Sequence, residues 1–188
     1  MKIIITGATG FLGGWLVSDL LQDSHELIIL RYKPTLDYQS SQKNPRNYSQ
    51  YFLKNFDQKC KEIFVDLSSY SSVEKIIKDT NADAVIHMAA VSRVSIAKNN
   101  PRHTFELGSN GTLNLLEAIR IHSPNTLFLC HTDHKIYRGN NIPFRENMLF
   151  NPDFIFEAAM ISKEYLTKIY SQSYKVKGVT IRSGSYFG

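Results

Sequence analysis

Short apolar runs alternate with longer segments of helical spacing along the chain. The apolar runs are rich in branched and aromatic residues and are bounded by turn formers, which is typical of buried parallel strands. They predict strands at residues 3–5, 27–30, 63–65, 84–87, 126–130 and 179–181. Segments with the apolar spacing of helices lie at residues 12–21, 73–78, 101–121 and 156–174. This alternation predicts an α/β fold of the Rossmann type, a doubly wound parallel sheet of about six strands with helices on both faces.

One segment, residues 34–60, departs from this alternation. It is rich in Gln, Asn, Ser and Tyr and is too polar to be a core helix throughout. Its composition predicts a loop with a short helix near residues 48–56. Because nothing repeats internally and no linker divides the chain, we expect a single domain over residues 1–188.

The composition limits the partners that the chain can have. With 43% hydrophobic and 21% charged residues it is in the ordinary globular range, and it has no apolar run of about 18 residues that would predict a membrane span. The net charge is +5, but the 22 Lys and Arg residues are scattered, which argues against nucleic acid and suits an anionic nucleotide. Cys60 and Cys130 lack the spacing of a disulfide framework or a zinc site. We therefore expect a protein of the reducing cytoplasm that binds no membrane and no metal.

A glycine cluster follows the first predicted strand directly and opens the first helix. Gly7, Gly10 and Gly13 are spaced three residues apart. A tight turn needs a residue that tolerates positive φ, a close backbone approach to phosphate needs no side chain, and helix-to-strand packing needs a small residue. The N–H groups and the dipole of the helix then attract a pyrophosphate. The cluster predicts a site for NAD or NADP, the alternative being a tight turn that binds nothing.

The end of the second strand, in LIILRYK, bears on which dinucleotide binds. NAD sites of this kind place a carboxylate there for the ribose hydroxyls, whereas this chain has Arg31, followed by Lys33. A guanidinium slightly favours the 2′-phosphate of NADP, and a surface arginine at a strand end is the other interpretation. Asp66, at the end of the third strand, could accept a hydrogen bond from the adenine amino group or could cap the next helix.

Four stretches, TGATGFLGGWL, VDL, DAVIHMAA and GTLNLLEAIR, resemble the extended short-chain dehydrogenase/reductases of the NAD-dependent epimerase/dehydratase family. The runs GGWL, IHMAAVSRV and CHTDHKIY are similar to the nucleotide-sugar 4,6-dehydratases, especially the CDP-glucose type. The resemblance implies a nucleotide-diphosphate sugar as substrate and a homodimer through helices near residues 101–121 and 156–174, although packing on the sheet equally explains their apolar stripes. It implies cofactor contacts by Gly7, Thr9, Gly10, Phe11, Leu12, Gly13, Arg31, Asp66, Leu67, Met88, Ala89, Ala90 and Lys163.

The resemblance also implies a mechanism, in which a Ser or Thr and a Tyr activate a sugar hydroxyl while a hydride passes to the nicotinamide. The family's Tyr and Lys lie four residues apart on one helix face, so that the ammonium lowers the pKa of the phenol. In this chain ISKEYL places the Lys at Lys163, and Ala159 stands at the tyrosine position. A methyl group neither donates nor accepts a proton, and Tyr165 lies about 240° around the helix from position 159. We therefore expect impaired proton chemistry.

The rest of the implied catalytic machinery is kept in part. Thr132, in HTDHKIY, is the counterpart of the catalytic Ser or Thr, and Asp133, His134 and Lys135 are candidates for the elimination acid and base. Without a gap in the alignment, Asp133 takes the hydroxyl position and His134 takes the acid position. Polar loop residues that cap the strand end are the alternative for all of them.

Five positions have further interpretations. Gly108 stands where the family has an Asn that orients the catalytic helix and a proton-relay water, and Asn110 follows two residues later. His131 and His134 lack the further ligands that a metal site needs. His87, in the apolar run VIHMAA, is more typical of a hydrogen-bonded core histidine than of a catalyst.

The family carries a C-terminal substrate-binding part after the sixth strand, whereas this sequence stops at GVTIRSGSYFG. It is either a truncated form or a naturally short relative. We expect an NAD(P)-binding protein that resembles the nucleotide-sugar epimerases and dehydratases but has impaired chemistry. The alternative is a non-catalytic dinucleotide-binding sensor or partner subunit. The residues expected to serve any remaining catalysis are Thr132, Asp133, Lys135 and Lys163.

Overall fold

The computed structural model describes residues 1–32 and 49–186. Its strands form one parallel sheet in the order β3-β2-β1-β4-β5-β6. They are β1 (Lys2–Thr6), β2 (Glu26–Arg31), β3 (Lys61–Phe64), β4 (Ala84–His87), β5 (Leu127–Asp133) and β6 (Lys177–Ser183). This order is the doubly wound arrangement, because the chain builds outward from β1 to β3 and then returns to place β4 on the other side of β1. The predicted fold class is confirmed.

Helices connect the strands. They are α1 (Phe11–Gln22), α2 (Gln50–Leu53), α3 (Tyr70–Thr80), α4 (Val94–Asn99), α5 (Pro101–Phe105), α6 (Gly111–His122) and α7 (Ile155–Tyr174). Short 3₁₀ turns follow β5 at His134–Tyr137 and precede β3 at Phe56–Gln58. Among the described residues, no helix is both long enough and apolar enough to span a membrane.

Three details of the predicted elements were wrong. The helix predicted over residues 101–121 is divided into α5 and α6 by a π-helical turn at Glu106–Asn110. Helix α4 was not predicted, and strand β3 ends at Phe64, so that Val65 lies beyond it. Helix α2 lies inside the segment where a short helix was predicted, whereas Lys33 and Tyr48 are outside the described residues.

The core has one layer on each face of the sheet. Alternate residues of a strand point to opposite faces, so Ile4 packs with α3 and α6, whereas Ile3 and Ile5 pack with α1 and α2. Phe128 and Val85 extend the first layer, and both are fully buried. The helices therefore cover both faces of the sheet and leave the carboxyl ends of its strands as the place for a ligand.

Candidate functional site

A cavity of about 990 Å³ lies outside the carboxyl ends of the strands. Residues that follow or end each of the six strands contribute to its wall. Such a crevice, beside the point where the strand order reverses between β1 and β4, is where doubly wound sheets bind ligands. Most of the predicted site residues line it: Gly7, Thr9, Gly10, Phe11, Leu12, Gly13, Arg31, Leu67, Met88, Ala89, Ala90, Thr132, Asp133 and Lys135.

The glycine turn has no room for side chains. Gly7 has a φ of +79°, in the left-handed region that favours glycine, and a Cβ there would lie 2.8 Å from the backbone of Met88 and Ala89. A Cβ on Gly13 would lie 2.3 Å from the carbonyl oxygen of Gly7. Both positions therefore require glycine, and the β1–α1 turn lies closely against the end of β4.

The N-terminus of α1 is open at this turn. Gly10 is the N-cap residue, no side chain caps the helix, and the first turn contains no acidic residue. The first N–H groups of a helix have no intrahelical acceptor and carry a partial positive charge. These features together make a cradle that fits the pyrophosphate of a dinucleotide.

Arg31 ends β2 at one side of the cavity and is already paired. Its Nη1 lies 2.6 Å from Oε2 of Glu62, and its guanidinium lies 5.0 Å from the ring centres of Phe52 and Phe64. The hydroxyl of Tyr51 donates a hydrogen bond of 2.7 Å to Oε1 of Glu62. The sequence analysis missed this cluster, since Arg31 and Glu62 are brought together only by the pairing of β2 with β3.

Asp66 does not line the cavity. Its Oδ1 accepts hydrogen bonds of 2.9 Å from the backbone N–H and 2.8 Å from the hydroxyl of Ser68, ahead of α3. These bonds form a local turn before the N-cap residue Ser69, and no side chain caps α3, so the predicted capping role of Asp66 is wrong and its contact with adenine stays a prediction.

Lys163 lies behind the cavity wall on α7. It is fully buried, and its Nζ donates a hydrogen bond of 3.3 Å to the carbonyl oxygen of Ala89, a cavity residue. Burial lowers the pKa of Lys163 because it disfavours the charged ammonium. The predicted lysine therefore contacts a wall residue but does not itself line the cavity.

Ala159 is fully buried and packs on the π-helical turn. A Cβ added to Gly108 would lie only 2.9 Å from the Cβ of Ala159. The two positions at which the resemblance implies a departure from the family pattern thus lie close together, and α7 lies close against the turn. Ala159 is not among the residues that line the cavity, whereas Phe156 and Met160 on the same helix are.

The Thr132 hydroxyl is buried and donates a hydrogen bond of 2.7 Å to Oε1 of Glu164. That carboxylate is also bound by Arg182, from β6, at 2.7 Å. Asp133 accepts a hydrogen bond from the backbone of Lys135 at 2.8 Å and so caps the 3₁₀ turn after β5. The carboxylate of Asp133 is partly exposed to the cavity, whereas the proton of Thr132 already has an acceptor inside the protein.

His131 also lines the cavity, which its sequence position did not predict. Its Nε2 lies 2.7 Å from Oγ of Ser183, and that hydroxyl lies 3.2 Å from the carbonyl oxygen of Thr132. Because a carbonyl only accepts, Ser183 donates to Thr132 and accepts from the Nε2–H of His131. Burial, and secondarily the ammonium of Lys163, lowers the pKa of His131. No group of three or more potential ligands in the described part of the chain is placed to bind a metal ion.

His87 is a hydrogen-bonded core residue, as its apolar run predicts. Its Nδ1 lies 2.7 Å from Oγ1 of Thr6, and its Nε2 lies 3.0 Å from Oγ1 of Thr112. The Thr112 hydroxyl donates to the carbonyl oxygen of Gly108 at 2.6 Å, so it accepts from the Nε2–H of His87. Both ring nitrogens are satisfied in the neutral form, and burial lowers the pKa of His87 far below its ordinary value.

Comparison with known proteins agrees with this geometry. The sequence model of the GDP-mannose 4,6 dehydratase family matches residues 4–187. GDP-mannose 4,6-dehydratase of Yersinia enterocolitica is 25% identical over 181 residues, which cover 92% of this chain and 46% of that protein. CDP-paratose 2-epimerase of Salmonella typhi is 31% identical over 137 residues, which cover 73% of this chain and 38% of that protein.

Solved structures show the same fold. The UDP-glucose 4-epimerase of Thermus thermophilus, solved in complex with NAD, superposes on 97% of this chain and 54% of its own, with a TM-score of 0.76 and 26% identity. The chain spans about half the length of the relatives it matches. The family match extends over nearly all of the sequence and agrees with both the sheet order and the glycine turn. The chain therefore belongs to the GDP-mannose 4,6 dehydratase family of extended short-chain dehydrogenase/reductases.

Proposed function

We propose that this chain binds NAD or NADP, with the pyrophosphate over the glycine turn. The observation that carries the proposal is the pair of glycines, Gly7 and Gly13, beside the uncapped N-terminus of α1. A dinucleotide with its phosphates there would have Arg31 and Leu67 toward its adenosine half and Ala89 and Lys163 toward its nicotinamide half. Such a cofactor supplies hydride transfer when it is bound. The NAD complex of the Thermus thermophilus relative supports the proposal.

We further propose that the chain is a nucleotide-sugar epimerase/dehydratase-like protein with impaired chemistry. Ala159 offers no acid or base, and the hydroxyl of Thr132 already donates to Glu164. Asp133 and Lys135 remain at the cavity wall among the polar side chains available for proton transfer. Loss of one general base typically lowers a rate by about 10² to 10⁴. A non-catalytic sensor or partner subunit is the alternative, and the close contact of Gly108 with Ala159 favours it.

The substrate, location and assembly of the protein are proposed by similarity. The names of its relatives support a nucleotide-diphosphate sugar, and the CDP-glucose branch stays a prediction. The free thiols of Cys60 and Cys130 suit a reducing cytoplasm. Exposed apolar side chains on α5, α6 and α7 support a homodimer through these helices. They are Phe105, Leu113, Tyr165 and Ile169.

Calorimetric titration with NAD and NADP tests the binding proposal. The wild type should bind at least one of them, and Gly13→Ala should weaken that binding more than about tenfold, because its Cβ would meet the carbonyl of Gly7. Gly178→Ala is the matched control, since this residue lies near the start of β6, outside the cavity, and the nearest atom to its Cβ would be Cγ2 of Thr167 at 3.1 Å. It should leave the affinity within about twofold. A wild type that binds neither nucleotide would overturn the proposal.

Assay of the same protein with NAD and sugar nucleotides separates impaired chemistry from full activity. CDP-glucose, GDP-mannose and UDP-glucose are the substrates to test, with mass spectrometry to detect 4-keto and epimerised products. We expect turnover at least about 10² below that of an active relative, because the general base is absent. Turnover equal to that of the relative would show that Ala159 is no impediment. Complete inactivity with intact cofactor binding would favour the sensor.

A further inference from the structure

The cluster around Arg31 is built to hold a carboxylate against the guanidinium. Neighbouring strands β2 and β3 pair in register, with Ile29 beside Glu62 and Arg31 beside Phe64. Glu62 and Phe64 are two residues apart on β3, so their side chains lie on one face of the sheet, where both contact Arg31.

The pair is shielded from water. The side chains of Arg31 and Glu62 are 20% and 17% exposed, with an N–O distance of 2.6 Å. Tyr51, which is fully buried, holds the second carboxylate oxygen at 2.7 Å. Burial, together with this hydrogen bond, raises the pKa of Tyr51, so the phenol remains a donor to Glu62 at neutral pH. The pair is therefore fixed by contacts on both of its partners.

Arg31 faces the cavity and Glu62 does not. Arg31 and its neighbours Leu30, Tyr32 and Phe52 line the wall, whereas Glu62 lies behind the guanidinium. A ligand at this end of the cavity would therefore meet a guanidinium whose charge is already balanced by a carboxylate on its far side.

We propose that Glu62 sets the choice between NAD and NADP, an inference that rests on the proposed function. The 2′-phosphate of NADP carries a charge of about −1.5 to −2, like other phosphomonoesters near pH 7. Arg31 attracts that charge, and the carboxylate of Glu62, which lies just behind the guanidinium, repels it from slightly farther away, so the repulsion offsets much of the attraction. NAD has only a hydroxyl group there and is little affected by either. Glu62 thus acts through Arg31 and removes the NADP preference that a free arginine would give.

The ratio of the two dissociation constants, NADP to NAD, is the quantity that tests this role. In the wild type the two constants should agree within about threefold, because the charge of Arg31 is balanced. Glu62→Gln keeps groups that can hydrogen-bond to Arg31 and Tyr51 but removes the negative charge. It should lower the dissociation constant of NADP by about tenfold and change that of NAD by less than about twofold. The gain in affinity for NADP should shrink as salt is added.

Asp79→Asn is the matched control, because it makes the same change in net charge at an exposed pair with Lys75 on α3. Its ratio of constants should equal that of the wild type. If Glu62 had a purely structural role, Glu62→Gln would weaken the binding of both nucleotides together and would leave the ratio of their dissociation constants unchanged.

Arg31→Gln provides a second test that does not depend on the folding of the Glu62 variant. If Glu62 balances its charge, removing Arg31 leaves the carboxylate unopposed, so binding of NADP should weaken by about tenfold relative to that of NAD. A wild-type preference for NADP beyond about tenfold, or an unchanged ratio in Glu62→Gln, would overturn the inference while leaving nucleotide binding intact. Absence of binding by both nucleotides would overturn the proposed function and this inference with it.

Discussion

Lys163→Met is expected to stabilise the protein while it weakens cofactor binding. Lys163 is fully buried, and its Nζ donates to the carbonyl oxygen of Ala89 at 3.3 Å without a carboxylate within ion-pairing distance in the described residues. Burying an ammonium costs several kcal/mol, of which a hydrogen bond to a charged group returns about 1.5 to 3 kcal/mol. Methionine has a similar volume and no charge, so we expect a gain of about 1 to 2 kcal/mol in the free energy of unfolding.

Urea unfolding and thermal melting measure this gain. For a chain of this size it should raise Tm by about 2 to 8 °C. Lys168→Met, at an exposed position of the same helix, is the control and should change stability by less than about 0.5 kcal/mol. Because burial lowers the pKa of Lys163, the cost is complete below that lowered pKa and should shrink as pH rises from it toward 10.5. A destabilised Lys163→Met protein, with NAD affinity unchanged, would refute both the uncompensated charge and the role of Lys163 at the cofactor.

Two further predictions concern the histidine and helix contacts at the core. Burial holds the pKa of His87 far below its ordinary value of 6.5, so protonation favours the unfolded chain. The free energy of unfolding should therefore be highest above pH 6.5 and should fall by up to about 1.4 kcal/mol per pH unit below it. Urea unfolding at pH 7 and pH 5.5 checks this, and His87→Gln should flatten the dependence. Ala159→Tyr should destabilise the protein by about 1 to 3 kcal/mol, because the helix packs closely on Gly108. Denaturation compared with Ala158→Tyr, at a half-buried neighbour, tests it, and an equal or higher stability for Ala159→Tyr would contradict the close packing.

The elements that could be predicted from the sequence are those with a strong local pattern. The strand around Ile4 is a continuous apolar run, and the glycine spacing directly after it strongly favours a phosphate-binding turn. Helix α4 was missed because its sequence, VSIAKN, is short and only Ala97 is fully buried. The π-helical turn around Gly108 changes the helical period within a segment that otherwise looks continuous.

Contacts between distant residues could not be predicted in the same way. Arg31 and Glu62 are joined by strand register, and Thr132 reaches Glu164 only because α7 packs beside β5. Glu62 and Glu164 each look like an ordinary surface charge when the sequence is considered alone. The sequence therefore indicated where a dinucleotide would bind, whereas the balance of charge at that site depends on the folded sheet.

The contact between Gly108 and Ala159 has a consequence for the introduction of a tyrosine at position 159. A phenol at position 159 would need space that the backbones of α7 and the π-helical turn now occupy. No smaller residue could make room at position 108, because it is already glycine. A tyrosine at this position would therefore be tolerated only after other substitutions had moved α7 and the π-helical turn apart. Separation alone would leave a cavity, and the tyrosine alone would clash, so each single step lowers stability. In evolutionary terms, the close packing opposes the gain of a tyrosine at position 159.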